Sequence, residues 1–284
     1  MGERIGRDWS RYSRAADRPV EAMYAGFRRH TYDRHSHDAY SIGVTELGAQ
    51  AFRCRGAART SAAGMVMAFN PDEPHDGYPA TADGFIYRIV HIAPDLVADV
   101  LGDAAGPGGG AGLPLFTEPV VTDPRLAAAV RRLNAALLGG ADPLTRDERL
   151  SEVVLAMAAT TVRPSDPAAR VSRRAVARVR DALADHVRAE VRAGGGAGGA
   201  LDADALAAVA GCSRHALYRA FQRVYGMSPS AYQRQLRLRE ARGLLRRGIP
   251  IADAAACAGF ADQAHLTRWF VRCYGITPAV YVRA

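Results

Sequence analysis

A chain of 284 residues that is 49% hydrophobic has length and apolar content for two domains of ordinary size. Its four cysteines, Cys54, Cys212, Cys257 and Cys273, are scattered with no C-x-x-C pair, which argues against a disulfide scaffold or a cysteine zinc site. The net charge is +8 and every cation is an arginine, a composition suited to an anionic partner rather than to a membrane, since no apolar run reaches spanning length.

The stretch Met1 to Arg18 is charged throughout, unlike a secretory signal, so the expected location is the cytoplasm. Short β-prone runs follow, split by glycine, proline and aspartate: AMYAGFRRHTY, SIGVTEL, AQAFRCR, GMVMAFN and FIYRIVHI. Six to eight such strands in about 90 residues predict an all-β barrel, or a sandwich open at one end. In the last run, Phe85, Tyr87, Ile89 and His91 share one face and Ile86, Arg88, Val90 and Ile92 the other, as a strand between a pocket and an outer layer requires. Candidate pocket residues for a small effector are His35, His37, Tyr40, Glu46, Arg53, His75, Tyr87 and His91. His35 and His37, two apart on a strand, point the same way, and with His75 they are candidate metal ligands.

The Gly-rich run Gly106 to Gly112 lacks the strand and helix context of a phosphate-binding motif and is expected to be a loop. Two amphipathic helices trail the barrel. Pro124 to Leu138 carries Leu126, Val130, Leu133 and Leu137 on one stripe, and Arg146 to Val162 carries Leu150, Val153, Val154 and Met157. The first domain is therefore read as 1–162 and the linker, containing PSDPAAR, as 163–171. The second domain is read as 172–284, opening on an Arg-rich helix from Arg173 to Arg192 and a GGGAGG loop at Gly194 to Gly199.

The second domain repeats itself. LAAVAGCSRHALYRAFQRVYGMSPSAY, from Leu206, is answered by AAACAGFADQAHLTRWFVRCYGITPAVY, from Ala254. Gly211 and Gly259 are offset by 48, while Leu217/Leu266, Arg219/Arg268, Phe221/Phe270, Tyr225/Tyr274, Gly226/Gly275, Pro229/Pro278 and Tyr232/Tyr281 are offset by 49, so one residue was added at the turn. Each copy is a small-residue helix, a glycine turn and a second helix, placing helix-turn-helix motifs at about 203–225 and 251–274. Ser213 and Asp262 stand at N-cap positions. Leu217, Phe221 and Val224, like Leu266, Phe270 and Cys273, form a buried stripe. The opposite faces carry Arg214, His215, Tyr218, Arg219 and Arg223 in the first copy, and Gln263, Ala264, His265, Thr267, Arg268 and Arg272 in the second. Pro229 to Arg247 reads as one linking helix. Charge follows the same division: Ser172 to Ala284 holds 18 Arg against 8 acids, a net of +10, and Met1 to Val171 holds 19 against 21, a net of −2.

On these residues Leu201 to Tyr281 resembles the DNA-binding region of the AraC/XylS family of transcription regulators, whose signature region stands here as IADAAACAGFADQAHLTRWFVRCYGITPAVY. The resemblance puts the base-facing positions at His215, Tyr218 and Arg219 and at Gln263, Ala264, His265 and Arg268, with the short Ala264 weakening base reading by the second helix. The first domain is similar to the cupin-like sensor of many members through His35-Ser36-His37-Asp38 with Tyr40, Gly64-Met65-Val66-Met67 and Asn70-Pro71-Asp72-Glu73-Pro74-His75. It departs from metal-binding cupins, having Ser41 and Ile42 where the acid after the HxH pair belongs and Asp72 for the glycine after Pro71. No cofactor is expected on that ground, and the histidines are expected to bond an effector or one another.

The implied protein is a regulator of transcription, by family habit an activator. It binds double-stranded promoter or operator DNA, responds to a small molecule in the barrel, contacts RNA polymerase and pairs as a homodimer through the trailing helices. Packing of those helices back on the barrel is the alternative. The rival readings are a metal-dependent cupin enzyme fused to a DNA anchor, and a first domain that only dimerises. No Ser-His-Asp, paired-carboxylate or Cys-His arrangement argues for catalysis elsewhere.

Overall fold

A computed structural model describes residues 6–105, 113–161, 170–195 and 203–284, with side chains at all of these except 105, 170–175 and 215. The expected loops at 106–112 and 196–199, and most of the expected linker, lie outside the described residues. The chain forms two compact units, one of residues up to 161 and one of residues from 170, and the strand through Asp33–His35 is hydrogen-bonded into the sheet of the first.

The first unit is built on β1 (Trp9–Arg14), β2 (Val20–Phe27), β3 (Tyr32–His35), β4 (Tyr40–Cys54), β5 (Ala57–Ala62), β6 (Val66–Phe69), β7 (His75–Pro79), β8 (Phe85–Ile92) and β9 (Val120–Val121). The main path runs β1-β2-β8-β4-β6-β9, and β5 and β7 pair with β4 while β3 pairs with β7. That path does not return to its start, so of the two expected forms, a barrel or a sandwich open at one end, the sheet takes the open one. The cause lies in β4. Its first half, Tyr40 to Gly48, is hydrogen-bonded to β8, with a register shift between Thr45 and Leu47, and its second half pairs with β5 and β7. One 15-residue strand thus serves two layers that face each other rather than closing a ring. Gly48 makes the bend possible: its φ is 69°, and a Cβ there would stand 2.1 Å from the Gly84 carbonyl oxygen.

One sheet face packs on helices α1 (Pro94–Ala105), α2 (Pro124–Leu138) and α3 (Pro143–Thr160). Pro124 and Pro143 occupy first turns, and the Asp123 and Asp142 side chains cap them by accepting backbone N–H groups. Both sequence-predicted stripes point inward: Leu126, Val130, Leu133 and Leu137 with Leu150, Val153, Val154 and Met157 join Ala22, Ile42, Val44, Val90 and Ile92 in one core. Each such side chain contributes roughly 1.5 to 3 kcal/mol by leaving water. The stripes offered for subunit pairing are therefore consumed within the unit. What stays exposed and apolar on α3 is Leu144 and Leu155.

The second unit contains α4 (Arg170–Arg192), α5 (Ala203–Ala210), α6 (Arg214–Tyr225), α7 (Pro229–Arg246), α8 (Ile251–Cys257), α9 (Gln263–Tyr274) and α10 (Pro278–Arg283). The repeat is a repeat of backbone. Gly226 and Gly275 end α6 and α9 in the left-handed conformation, at φ 62° and 71°. The turn glycines Gly211 and Gly259 are left-handed as well, at 67° and 75°. Leu217 and Phe221 are buried with Tyr225, while Val224, predicted for the stripe, is half-buried and packs against the same cluster. Leu266, Phe270 and Cys273 are buried as predicted. Among the described residues no helix is long and apolar enough to cross a membrane.

Candidate functional site

The second helix of each motif, α6 and α9, is started by a side chain. Ser213 Oγ accepts from the Ala216 N–H at 3.3 Å, and Asp262 Oδ1 from the His265 N–H at 2.6 Å. Once Leu217, Phe221 and Tyr225 face the core, Tyr218, Arg219 and Arg223 are left in solvent, as are Gln263, Ala264, Arg268 and Arg272 on α9. Tyr218 is 41% exposed, unusual for so large a ring and suited to stacking or contact in a groove. Arg214 is held by an ion pair to Asp204 of α5, which makes it a clasp between the two helices of its motif. Thr267 is half-buried. His265 is engaged by the Trp269 indole N–H at 3.0 Å and meets the Phe260 ring edge-on, so it braces α9. The His215 side chain lies outside what the structure describes.

Behind these helices the scaffold is stiff. Arg237 of α7 donates to Glu190 of α4 at 3.0 Å, within a nearly buried carboxylate, and Trp269 lies under the Arg234 guanidinium at 4.1 Å. Arg242 sits 4.8 Å from the Tyr274 ring and 5.3 Å from that of Tyr281. Sequence reading passed over Trp269, although it lies four residues after His265, the spacing at which helix neighbours meet.

In the first unit, the inner face, turned away from the helices, gathers part of the predicted pocket. His35, His37 and His75 are buried, and one ligand nitrogen from each lies within 4.8 Å of the others. The His37 ring is 5.4 Å from His75 and 4.5 Å from His91. His75 stacks flat on Phe69 at 3.8 Å, and His91 Nδ1 is 2.9 Å from Ser41 Oγ. Tyr87 shares its hydroxyl with Tyr32 at 2.7 Å, and burial pushes both phenols well up. Phe27 and Phe85 meet the Tyr87 ring, and Phe52 meets Phe69. A polar patch that sequence reading missed completes this face: Thr45 Oγ1 lies 2.8 Å from Ser61 Oγ and accepts from Gln50 Nε2 at 3.2 Å. Strand alternation from Ser41 would have found Thr45; Ser61 and Gln50 arrive by long-range pairing.

Three predicted pocket residues lie elsewhere. Tyr40 and Glu46 have the parity of Ile42 and Val44 and face the helices. The Tyr40 hydroxyl donates to the Pro114 carbonyl at 2.7 Å, with burial lifting its pKa to about 12. Glu46 accepts from Arg88 at 3.1 Å and from Arg131 of α2 at 2.9 Å. Arg53 is exposed.

Residues 19–154 match the family described as an AraC-like ligand binding domain, and residues 206–284 one described as a helix-turn-helix domain. The uncharacterized HTH-type transcriptional regulator YbfI of Bacillus subtilis (strain 168) is 27% identical over 220 residues, which are 77% of this chain and 75% of that protein. Among solved structures, ToxT from Vibrio cholerae strain SCE256 with an unsaturated fatty acid bound aligns at a TM-score of 0.56 and 9% identity, over 99% of this chain and 97% of that one. ToxT from Vibrio cholerae O395 bound to (E)-4-(8-methylnaphthalen-1-yl)but-3-enoic acid aligns at 0.55 and 11% identity, over 98% of both chains. At such identities the likeness to ToxT is one of fold.

Proposed function

The chain belongs to the AraC family of transcription regulators and is a ligand-responsive DNA-binding protein, and from that membership we propose how it reads DNA and what it senses. Tyr218, Arg219 and Arg223 of α6, and Gln263 and Arg268 of α9, contact base edges and phosphates in two major-groove segments. The observation that carries this is the pair of helices, each capped by a side chain at its start and ended by a left-handed glycine, whose solvent faces hold these donors. The linking helix α7 has 18 residues, about 27 Å at 1.5 Å per residue, of the order of the roughly 34 Å between groove segments one turn apart.

The effector sits on the inner face, against Phe27, Phe69, Tyr87 and the histidines, and is a small apolar carboxylic acid. Buried aromatic rings beside a cluster of imidazoles support that class, and the two acids seen in ToxT, a protein of the same fold, point the same way. Binding shifts the population toward the DNA-competent form. The protein acts in the cytoplasm as a homodimeric activator that meets RNA polymerase, with the exposed Leu144 and Leu155 of α3 as the pairing surface, and it acts by binding rather than by catalysis.

Footprinting on the DNA upstream of its own gene, with and without a panel of medium-chain and aromatic carboxylic acids, tests both parts. Two protected patches about one turn apart, strengthened or lost on adding an acid, are the expected result. Protection that no acid alters overturns the effector assignment, and absence of protection overturns the DNA reading.

A further inference from the structure

We propose that His35, His37 and His75 bind one divalent transition-metal ion, with a coordination position left for the effector's carboxylate. The sequence argued against a metal because the acid of the cupin pattern is missing. The fold shows where those positions went: Ser41 is turned to His91, Ile42 is in the helix-side core, and Glu46 is paired with Arg88 and Arg131 on the opposite face. What is left is a set of three nitrogens.

Their geometry suits a metal. His35 Nδ1 stands 2.7 Å from the Asp33 carbonyl oxygen, and His75 Nδ1 stands 2.9 Å from that of Glu73. A carbonyl only accepts, so Nδ1 carries the hydrogen in both rings and the neutral imidazole bears its lone pair on Nε2. A ring N–H given to a backbone carbonyl is the support that orients metal-binding histidines. The same two-residue loop-back sets both rings, on β3 and on β7, and Phe69 holds the His75 plane.

The donor type selects the ion. Three imidazoles favour zinc, cobalt, nickel, copper or ferrous iron over magnesium and calcium, which want oxygen. Three protein ligands are also the number that leaves a fourth place open to an outside ligand. In a tetrahedral site with metal–nitrogen bonds of about 2.0 to 2.1 Å the nitrogens stand roughly 3.3 Å apart. The three nitrogens lie within 4.8 Å of one another, and the ion draws them to that spacing.

The metal half of the proposal stands on the histidines alone; the effector half rests on the sensing role proposed above. The full-length protein is purified, its metals counted by mass spectrometry, stripped with dipicolinate and titrated with Co²⁺ while the visible d–d bands are read. One equivalent of Co²⁺ is expected, with the intense bands of four- or five-coordination, displaced by Zn²⁺. His37→Ala and His75→Ala should each weaken it by more than the roughly 10- to 100-fold that loss of a supporting partner costs. Uptake below a tenth of an equivalent, or unchanged binding by both variants when circular dichroism shows them folded, overturns the site. If the variants do not fold, the stoichiometry and spectrum of the unmodified protein decide alone. Octanoate added to the cobalt form should shift the bands. Unshifted bands overturn the carboxylate position and leave the metal, whereas a protein that takes up no metal yet whose operator binding answers to an acid overturns the metal and leaves the sensor.

Discussion

The indole Nε1 of Trp269 donates to Nε2 of His265 at 3.0 Å, four residues back on α9. Indole can only donate, so Nε2 of His265 accepts. A residue placed among the base readers by resemblance is thereby held to the helix itself, and Trp269 is in turn covered by the guanidiniums of Arg234 at 4.1 Å and Arg272 at 5.4 Å.

Replacement of either partner should show that coupling. Trp269→Phe and His265→Ala are each expected to lower stability by about 1 kcal/mol, and the double variant by less than their sum. Urea unfolding of the three proteins measures it, and strict additivity would remove the bond from the account.

Arg219 and Arg268 are exposed arginines at equivalent places in the two motifs. Each changed to alanine should cost about 1 to 3 kcal/mol on the operator and little on scrambled DNA. Fluorescence anisotropy on both duplexes separates the cases, because an equal loss on each would make the arginine a phosphate contact.

Asn134 is fully buried on α2, where Nδ2 donates to the carbonyls of Met23 at 2.9 Å and Ile89 at 3.0 Å, and Oδ1 accepts from Arg88 at 3.1 Å. Met23 and Ile89 are register partners on β2 and β8, so one amide ties the helix to two strands. Asn134→Leu keeps the volume and strips these bonds, with an expected loss of about 1 to 3 kcal/mol in chemical denaturation. A loss under about 0.5 kcal/mol would mean that the bonds are dispensable.

The thiols should divide by burial. Cys212 is exposed, whereas Cys54 and Cys273 are buried, and burial lifts the Cys273 pKa to about 11. At pH 8 Cys273 is then thiolate to roughly one part in a thousand. With an aromatic disulfide reagent, Cys212 should react first and Cys273 should wait for unfolding; fast labelling of Cys273 in native protein, read by peptide mass, would contradict the packing.

The second unit was legible because its signals are local. Caps, left-handed glycines and i, i+4 spacing lie within a few residues of what they cause, and Ser213, Asp262, Gly226 and Gly275 do what their types predict. In the first unit the alternation of β8 was readable, with Val90 and Ile92 on the helices and Tyr87 and His91 inside. The side of β4 was not, since Tyr40 and Glu46 are placed by Pro114 and Arg131, far along the chain. The histidine cluster likewise depends on β3 meeting β7. The open sheet follows from a bulge and one glycine that no hydrophobic pattern announces.

Because β4 lends its first half to one layer and its second half to the other, it acts as a shared ruler. Insertion of a single residue before Ser41 would turn over every side chain downstream. Ser41 and Thr45 would be sent toward the helices and Ile42 and Val44 toward the histidines, and Phe52 would leave its contact with Phe69. Insertions and deletions are therefore expected to be tolerated in the turns on either side of this strand and lethal within it, so that the sensing surface can drift by substitution but not by change of length.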